Sequence, residues 1–213
     1  MSNQQVRMIW MTPNAELQLA YIARVSNPKN QENPNSSSLL RYCIEHKHWS
    51  VFEMANVCME ITTTRAISPQ ILRHRSFTFQ EFSQRYASID SISQQIELPA
   101  LRRQDTKNRQ NSIDDLDPSQ SSLFLKRIQQ HFNEAQDLYR EMLAHGVAKE
   151  CARSILPINT PTRLYMNGTV RSWIHYIELR SGNGTQKEHQ ELALMAKEEF
   201  KEYLPFVSQA LGW

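Results

Sequence analysis

The residues best suited to chemistry lie in one short part of the chain, residues 68–86. Basic and polar side chains follow one another there at close spacing: Arg73, His74, Arg75, Glu81, Ser83, Gln84 and Arg85. Guanidinium groups bind phosphate or carboxylate through paired hydrogen bonds, so several of them on adjoining elements predict an anion-binding site. Arginines at the C-terminal end of a helix also interact favourably with the helix dipole. A solvated basic helix end followed by a half-exposed strand is therefore the alternative interpretation.

Two elements are predicted to position these side chains. Ser68 followed by Pro69 indicates a helix start, because serine caps free N–H groups and proline fits the first turn. Three residues at i, i+3 and i+4 would share a face of that helix: Gln70, Arg73 and His74. After Arg75, aromatic and polar residues alternate, which predicts a strand. One face of that strand would carry Glu81, Ser83 and Arg85, and the other face Gln84.

A second stretch with chemical potential is predicted to be a helix over residues 171–180. One face of this helix carries Arg171, His175 and Glu178, and another carries Trp173, Ile177 and Arg180. Polar groups on opposed faces are unusual for a plain surface helix. We therefore expect this helix to lie between ligands or between subunits.

The composition is that of one globular domain. The chain has 213 residues, of which 40% are hydrophobic and 22% are charged, as in ordinary proteins with a hydrophobic core. No apolar run is long enough to cross a bilayer and no signal-peptide core is visible, so we expect a soluble, cytoplasmic protein without a membrane partner. A net charge of +2 does not indicate a general nucleic-acid binder.

No metal site is predicted from the sequence. Cys43, Cys58 and Cys151 are odd in number and widely spaced, without a zinc-binding pattern, and they indicate a reducing compartment. His46 and His48 stand at i and i+2 of a predicted helix, roughly 200° apart around its axis. They therefore cannot bind one metal ion together.

The remaining periodicity predicts the other elements. Strands are expected over residues 6–10, 56–62 and 94–98, and helices over residues 14–25, 39–48 and 147–156. Residues 102–122 are polar and aperiodic, which predicts a long surface loop. A long amphipathic helix is expected to begin near Asp117 and to end at Gly146. Thr185 and Glu188 predict a capping box for the last helix.

Residues 73–85 consist of Arg-His-Arg, then seven residues, then Ser, one residue and Arg. This spaced pattern resembles the signature of the flavin-dependent thymidylate synthases, the ThyX family. Other segments are similar to segments of that family and come in its order: residues 23–26, 49–53, 150–157 and 171–190. The resemblance therefore covers most of the chain. One difference is Met54, because many relatives carry a histidine at this position.

The resemblance implies a fold, a reaction and partners. The expected fold is α+β, a single domain over residues 1–213 with a central, largely antiparallel sheet flanked by long helices. The expected reaction is the reductive methylation of dUMP to dTMP without a cysteine nucleophile. Methylenetetrahydrofolate would donate the carbon and NADPH would supply reducing equivalents through FAD, since no side chain transfers hydride. A homotetramer with active sites at subunit interfaces is also implied.

The resemblance also implies roles for individual residues. The flavin set is Ser26, Arg73, His74, Arg75, Arg171 and His175. The dUMP set is Gln70, Glu81, Ser83, Gln84, Arg85, Arg153 and Arg180. Within it, Arg180, Ser83 and Arg85 are expected to be catalytic, with Arg180 stabilising negative charge at the uracil carbonyl. A serine hydroxyl without an activating base is a weak nucleophile, so Ser83 is expected to donate a hydrogen bond to the nucleotide.

The alternative from another functional class is a single-stranded nucleic-acid-binding module. The arginines of residues 73–85 could contact phosphates, and the aromatic residues interleaved with them could stack on bases: Phe77, Phe79, Phe82 and Tyr86. The nearly balanced charge of the chain argues against this alternative. We therefore expect no nucleic-acid partner.

Overall fold

A computed structural model describes residues 4–93 and 95–213 of the chain. The strands are β1 (Gln5–Met11), β2 (Asn56–Thr64), β3 (Thr78–Glu81), β4 (Arg103–Gln104), β5 (Ser112–Ile113) and β6 (Pro161–Thr169). The α-helices are α1 (Ala15–Ala23), α2 (Ser37–Glu45), α3 (Ser68–Ile71), α4 (Pro118–Ala144), α5 (Lys149–Ala152), α6 (Val170–Arg180), α7 (Lys187–Tyr203) and α8 (Pro205–Ala210). Short 3-10 helices lie at Pro28–Asn30, Trp49–Glu53, Ile89–Ser91 and Arg153–Ile155.

Four strands form one sheet in the order β1-β2-β6-β3, and β4 and β5 form a separate hairpin. Hydrogen bonds show the direction of β3 against β6. The Thr78 hydroxyl donates to the Asn167 carbonyl at 3.4 Å, and the Phe82 N–H donates to the Arg163 carbonyl at 2.8 Å. Residue numbers therefore rise along β3 as they fall along β6, which is the antiparallel arrangement. The predicted α+β class with a largely antiparallel sheet and long helices is confirmed.

The chain divides into two compact units, which are described separately. Unit 1 contains Gln4 and residues 62–71 and 81–164, and unit 2 contains residues 5–61, 72–80 and 165–213. The assignment of the whole chain to a single domain stays a prediction.

Helix α6 is the central element of unit 2. Thr169 caps the helix, because its hydroxyl accepts a hydrogen bond from the Ser172 N–H at 3.2 Å. The inner face of the helix is fully buried, with Trp173 and Tyr176 both 0% exposed. The indole N–H of Trp173 donates to the Val57 carbonyl of β2 at 3.0 Å, so this buried donor is satisfied. These contacts fix the rotation of α6 about its own axis.

Helix α4 is the longest element of unit 1. Asp117 caps its N-terminus by accepting hydrogen bonds from the Ser119 and Gln120 N–H groups, both at 3.0 Å. After the helix Gly146 has a φ of 81°, a conformation that glycine adopts without strain. Both ends agree with the sequence prediction. A small core beside α4 contains Ile89, Tyr139 and Ala152.

The predicted helix at residues 68–75 is wrong in its extent. Helix α3 ends at Ile71, and residues 72–76 form turns. Arg73 and His74 therefore do not share a helical face with Gln70. A helix this short has few internal hydrogen bonds, so contacts made by the following residues decide where it ends.

The predicted strand beyond residue 75 is also wrong in its extent. Strand β3 ends at Glu81, and a turn follows in which the Ser83 carbonyl accepts hydrogen bonds from the Tyr86 and Ala87 N–H groups, both at 3.0 Å. Ser83 and Arg85 therefore do not continue the strand face of Glu81. Aromatic and polar residues continue to alternate in the sequence after Glu81, although the strand ends there.

Three smaller predictions also need correction. Residues 102–122 are not one loop, because they contain the β4–β5 hairpin, held by an ion pair between Arg103 and Asp115 at 2.6 Å, and the first turn of α4. Gln186 precedes α7 and makes no side-chain cap, so the expected capping box is not formed. Residues 95–98 form no strand, and Gln94 lies outside the described residues.

Among the described residues, no helix combines the length and the apolar character needed to span a membrane.

A Gly168→Ala variant tests the close packing beside α6. A Cβ atom at residue 168 would lie 2.5 Å from Cδ1 of Phe77, closer than two carbon atoms can approach. The Phe77 ring cannot withdraw freely, because it packs against the rings of Trp173 and Tyr176 at centroid distances of 5.1 and 6.0 Å. We expect the variant to lose about 1–3 kcal/mol in the free energy of unfolding, measured by urea denaturation.

Gly182→Ala is the matched control for this variant. A Cβ atom at residue 182 would lie 3.7 Å from the Leu179 carbonyl oxygen and 3.8 Å from that of Glu178, which is ordinary van der Waals contact. Equal losses of stability in the two variants would show that the Phe77 contact is not the cause.

Candidate active site

A cavity of about 420 Å³ opens beside α6 in unit 2. Its wall is formed by the 3-10 helix Trp49–Glu53, by the turn after α3 and by one face of α6. The lining residues are Trp49, Glu53, Ser76, Arg171, Ser172, Ile174, His175 and Glu178. The helical spacing thus brings Arg171, His175 and Glu178 to one place, as the sequence predicts.

An ion pair between Arg171 and Glu53 crosses the wall of this cavity. Each of the two side chains is 48% exposed, so water screens the pair and it contributes little to stability. An anionic or polar ligand can therefore replace Glu53 as the partner of Arg171 at a small cost in free energy.

The cavity combines apolar and polar surface. Trp49 and Ile174 supply apolar contacts, and the other lining residues supply hydrogen-bond donors and acceptors. Such a wall suits a flat heteroaromatic ring with polar atoms at its edge. Glu53 and Glu178 make part of the wall acidic, which disfavours a site for phosphate alone.

Arg180 projects from the C-terminal end of α6 and is anchored by His74. The Arg180 Nε–H donates to Nε2 of His74 at 2.9 Å. Because a guanidinium can only donate, Nε2 is the acceptor and the neutral imidazole carries its proton on Nδ1. A neutral acceptor leaves the positive charge of Arg180 uncompensated. The bond to His74 does not engage the two terminal nitrogens of the guanidinium.

Aromatic rings surround His74. The ring of Tyr176 lies 4.9 Å from the imidazole and that of Phe77 lies 6.4 Å away, each at 83° to it. The Tyr176 hydroxyl is hydrogen-bonded to Nε2 of His189 at 3.1 Å. Both Tyr176 and His189 are 0% exposed.

Burial keeps these groups neutral. Burial, followed by electrostatic interaction with Arg180 and His175, lowers the pKa of His74 to about 4. Burial, followed by Arg180 and His74, lowers the pKa of His189 to about 3. Burial raises the pKa of the Tyr176 hydroxyl above its ordinary value. At neutral pH the only charge in this group of side chains is therefore that of Arg180.

In unit 1 the carboxylate of Glu81 is held by several donors. Its Oε1 atom accepts hydrogen bonds from the Ser68 hydroxyl at 2.6 Å and from the Thr162 hydroxyl at 3.0 Å. The Arg65 guanidinium forms an ion pair with the same oxygen at 2.7 Å. Because three donor groups bind Oε1, the orientation of the Glu81 carboxylate is fixed. These three donors do not bind Oε2.

Arg85 is the most exposed cation of the dUMP set. Its ion pair with Glu150 spans 3.1 Å, and the two side chains are 67% and 54% exposed. Gln84 is buried beside it, and its amide nitrogen has no hydrogen-bond partner among the described residues. Arg153 lies in the 3-10 helix Arg153–Ile155 of the same unit.

The structure brings only part of the predicted flavin set together. Arg171 and His175 line the cavity beside α6, whereas His74 binds Arg180. Ser26 lines a different cavity of about 430 Å³ in unit 2, whose wall is rich in asparagine. The two remaining members are exposed on the turns after α3: Arg73 and Arg75.

The predicted dUMP set falls mainly in unit 1. Its members there are Gln70, Glu81, Ser83, Gln84, Arg85 and Arg153. Arg180 belongs to unit 2. Ser83 and Arg85 are exposed, and Gln70 and Arg153 are half-buried.

The sequence prediction did not include four residues that contact the predicted site residues: Glu53, Arg65, Tyr176 and His189. Glu53 and Arg171 are 118 positions apart, and no local pattern pairs them. His189 left a usable signal, because it shares the apolar face of α7 with Leu192 and Ala196. A polar side chain on such a face indicates a buried hydrogen bond.

No group of three or more histidine, cysteine, aspartate or glutamate side chains that could hold a metal ion occurs within residues 4–93 and 95–213.

The chain matches a known family over nearly its whole length. Residues 7–206 match the family of thymidylate synthase complementing proteins, Thy1. The chain is 57% identical over 195 residues to the flavin-dependent thymidylate synthase of Synechocystis sp., an alignment that covers 92% of this chain and 88% of the relative. It is 51% identical over 203 residues to a probable flavin-dependent thymidylate synthase of Paramecium bursaria Chlorella virus 1, covering 93% and 91%.

A solved structure shares the fold. The crystal structure of the UMP/dUMP methylase PolB from Streptomyces cacaoi, bound with 5-Br dUMP, superposes with a TM-score of 0.83. The match covers 99% of this chain and 95% of PolB at 21% sequence identity.

Acid sensitivity of the folded state is expected from the buried His189 and the half-buried His74. The pKa values of His74 and His189 are about 4 and about 3 in the folded chain, below the ordinary 6.5, so the unfolded chain binds more protons in acid. The free energy of unfolding should therefore fall as the pH drops below 6.5, down to about pH 4 for His74 and about pH 3 for His189. Urea midpoints measured from pH 8 to pH 4 check this expectation.

A His189→Gln variant tests how much His189 contributes to this pH dependence of stability. The variant lacks the titration of residue 189, so its stability should depend less steeply on pH below 6.5 than that of the unaltered protein. Parallel pH profiles for the two proteins would contradict the assignment of a lowered pKa to His189.

Proposed function

Because this chain belongs to the Thy1 family and is a flavin-dependent thymidylate synthase, we propose that it methylates dUMP with FAD as its flavin, methylenetetrahydrofolate as the carbon donor and NADPH as the reductant. The observation of the structure that supports this proposal most directly is the cavity beside α6. Its apolar wall and polar rim fit a flat heteroaromatic ring.

The residues present in this cavity fit a flavin. Trp49 and Ile174 would contact the ring system, and Arg171 and His175 would donate to its polar edge. When bound, FAD supplies the hydride transfer that no amino-acid side chain performs. The tasks of the chain are then to orient the flavin and to keep Arg171 available through its weak, exposed pair with Glu53.

We propose that Arg180 binds the pyrimidine ring of dUMP. The bond from Nε to His74 fixes the plane of the guanidinium and leaves its terminal N–H groups as paired donors. Because His74 is neutral, the full charge of Arg180 is directed at the ligand. A preorganised cation of this kind stabilises negative charge that develops on a uracil carbonyl during the reaction.

Considered by itself, unit 1 is proposed to bind dUMP through the polar residues of the predicted set that it contains. Arg85 and Arg153 would bind the phosphate, and Ser83 would donate a hydrogen bond through its hydroxyl. The exposed pair of Arg85 with Glu150 is weak, so a phosphate can replace the carboxylate at a small cost in free energy. Glu81, oriented by its three donors, would accept a hydrogen bond from the nucleotide.

A homotetramer with shared active sites belongs to the same proposal. The exposed apolar side chains on α4, Leu123, Phe124 and Leu138, are compatible with contact between subunits. The nucleic-acid alternative is weakened at one of its four aromatic residues, because Phe77 is only 7% exposed and packs against Trp173, whereas Tyr86 is 86% exposed. A ring in the position of Phe77 cannot stack on a base.

A visible absorption spectrum of the purified protein, recorded before and after addition of dUMP, tests the proposed function. We expect the visible absorption bands of a bound flavin, and a shift of these bands when dUMP binds. A protein that remains colourless after incubation with FAD would overturn the proposal.

An Arg180→Ala variant tests the assignment of the pyrimidine. Loss of the preorganised cation should lower kcat for dTMP formation by roughly 10²- to 10³-fold while the bound flavin is retained. Arg41→Ala is the matched control, because Arg41 is an exposed arginine of α2 that lines neither cavity. Normal dTMP formation by the Arg180→Ala protein would make the assignment wrong.

A further inference from the structure

We propose that Tyr176 and His189 form a positioning pair for the reaction, which holds the imidazole of His74 and, through it, the guanidinium of Arg180 in the orientation that the substrate requires. The inference rests on the proposed function of Arg180. It assigns a role to two buried residues that line neither of the two cavities described above.

The orientation of the Arg180 guanidinium depends on His74. An arginine side chain has many rotamers, and a single bond at Nε removes the freedom of the guanidinium plane. That bond exists only while Nε2 of His74 faces Arg180 and carries no proton. The orientation of one imidazole ring therefore controls the donors that are offered to a ligand.

The backbone does not fix the orientation of this imidazole. His74 lies between two turns, outside any helix or strand. Its ring is instead held by three rings that stand nearly perpendicular to it: Phe77 at 83°, Tyr176 at 83° and His189 at 86°. The nearest of them is Tyr176, at a centroid distance of 4.9 Å. Rotation of the imidazole therefore requires movement of Tyr176 or its neighbours.

A hydrogen bond to His189 holds the Tyr176 side chain in place. Its hydroxyl and Nε2 of His189 are 3.1 Å apart, and both side chains are fully buried. A histidine at a fully buried position costs desolvation free energy that an apolar side chain would not. Its hydrogen bond offsets this cost and makes a directional link between α6 and α7. Apolar packing alone, as at the neighbouring Leu192 of α7, has no such directionality.

The pair acts through geometry and not through charge. The groups that face His74 from the surrounding elements are Tyr176, His175 and Arg180 of α6, His189 of α7 and Phe77 of its own turn. Of the side chains in the link itself, only Arg180 is charged at neutral pH, because the pKa values of His74 and His189 lie far below 7. Loss of the Tyr176 hydroxyl therefore changes no charge in the site.

The test uses the full-length protein with its flavin and a Tyr176→Phe variant, which removes one oxygen atom and keeps the ring. We expect kcat to fall roughly ten- to hundredfold, because a small displacement of a catalytic group costs about this much. The flavin content should stay unchanged. A His189→Gln variant retains a side-chain amide that can bond to the Tyr176 hydroxyl, so its kcat should remain within roughly threefold of the unaltered protein.

Val207→Ala is the control for a loss of stability alone. Val207 is fully buried in α8, so its truncation weakens unit 2 without changing a side chain around His74. A fall of kcat in this variant equal to that in Tyr176→Phe would overturn the proposal. An unchanged kcat in Tyr176→Phe would overturn it as well.

A second readout separates this inference from the proposed function. In ¹⁵N-labelled protein, the His74 Nε2 signal at neutral pH should be that of an unprotonated nitrogen, and the Arg180 Nε–H signal should shift in Tyr176→Phe. If the unaltered protein forms no dTMP but these signals behave as expected, the proposed function fails, whereas the structural link from Tyr176 through His74 to Arg180 stands. An Arg180 signal that is identical in both proteins overturns the pair, whatever the activity.

Discussion

The hydrogen bond from Arg180 to a neutral imidazole is the constraint on which the site in unit 2 depends. A carboxylate in place of His74 would hold the guanidinium as firmly but would neutralise its charge. A neutral acceptor requires burial, since an exposed histidine with a pKa near 6.5 is partly protonated in mild acid and then cannot accept. The aromatic surroundings of His74 provide this burial, and the absence of a side chain at Gly168 leaves space for the Phe77 ring among them.

The other cations assigned to ligands are held in a different way. Arg171 is paired with Glu53 and Arg85 with Glu150, in exposed bridges that contribute little to stability. Such pairs keep an arginine near its working position and release it to a stronger anion. In the proposed site, Arg180 is thus held by a neutral partner, whereas Arg171 and Arg85 are paired with carboxylates. This division suits an enzyme that must bind anionic ligands and also stabilise developing charge in one of them.

The accuracy of the sequence predictions follows the regularity of each element. Helix α6 was predicted with its two faces because three turns of helix repeat the same periodicity, and Arg171 and His175 line the cavity together. The stretch around residues 68–86 was predicted with elements that were too long. The turn at Ser83 and the end of α3 at Ile71 carry no proline or glycine that would signal them. In such short elements the contacts of the folded chain outweigh the local preferences.

The sequence by itself determined the family, the α+β class and the residue types available for catalysis, because these depend on spaced motifs and on periodicities that survive without a structure. The tertiary structure decided how those residues are paired. The pairs are Glu53 with Arg171, His74 with Arg180, and Arg65 with Glu81. The two members of each pair lie 16 to 118 residues apart in the sequence or in different elements. Which side chain ends beside which depends on the packing of helices and strands, and no local pattern encodes it. The neutrality of His74 has the same origin, since burial is a property of the folded chain.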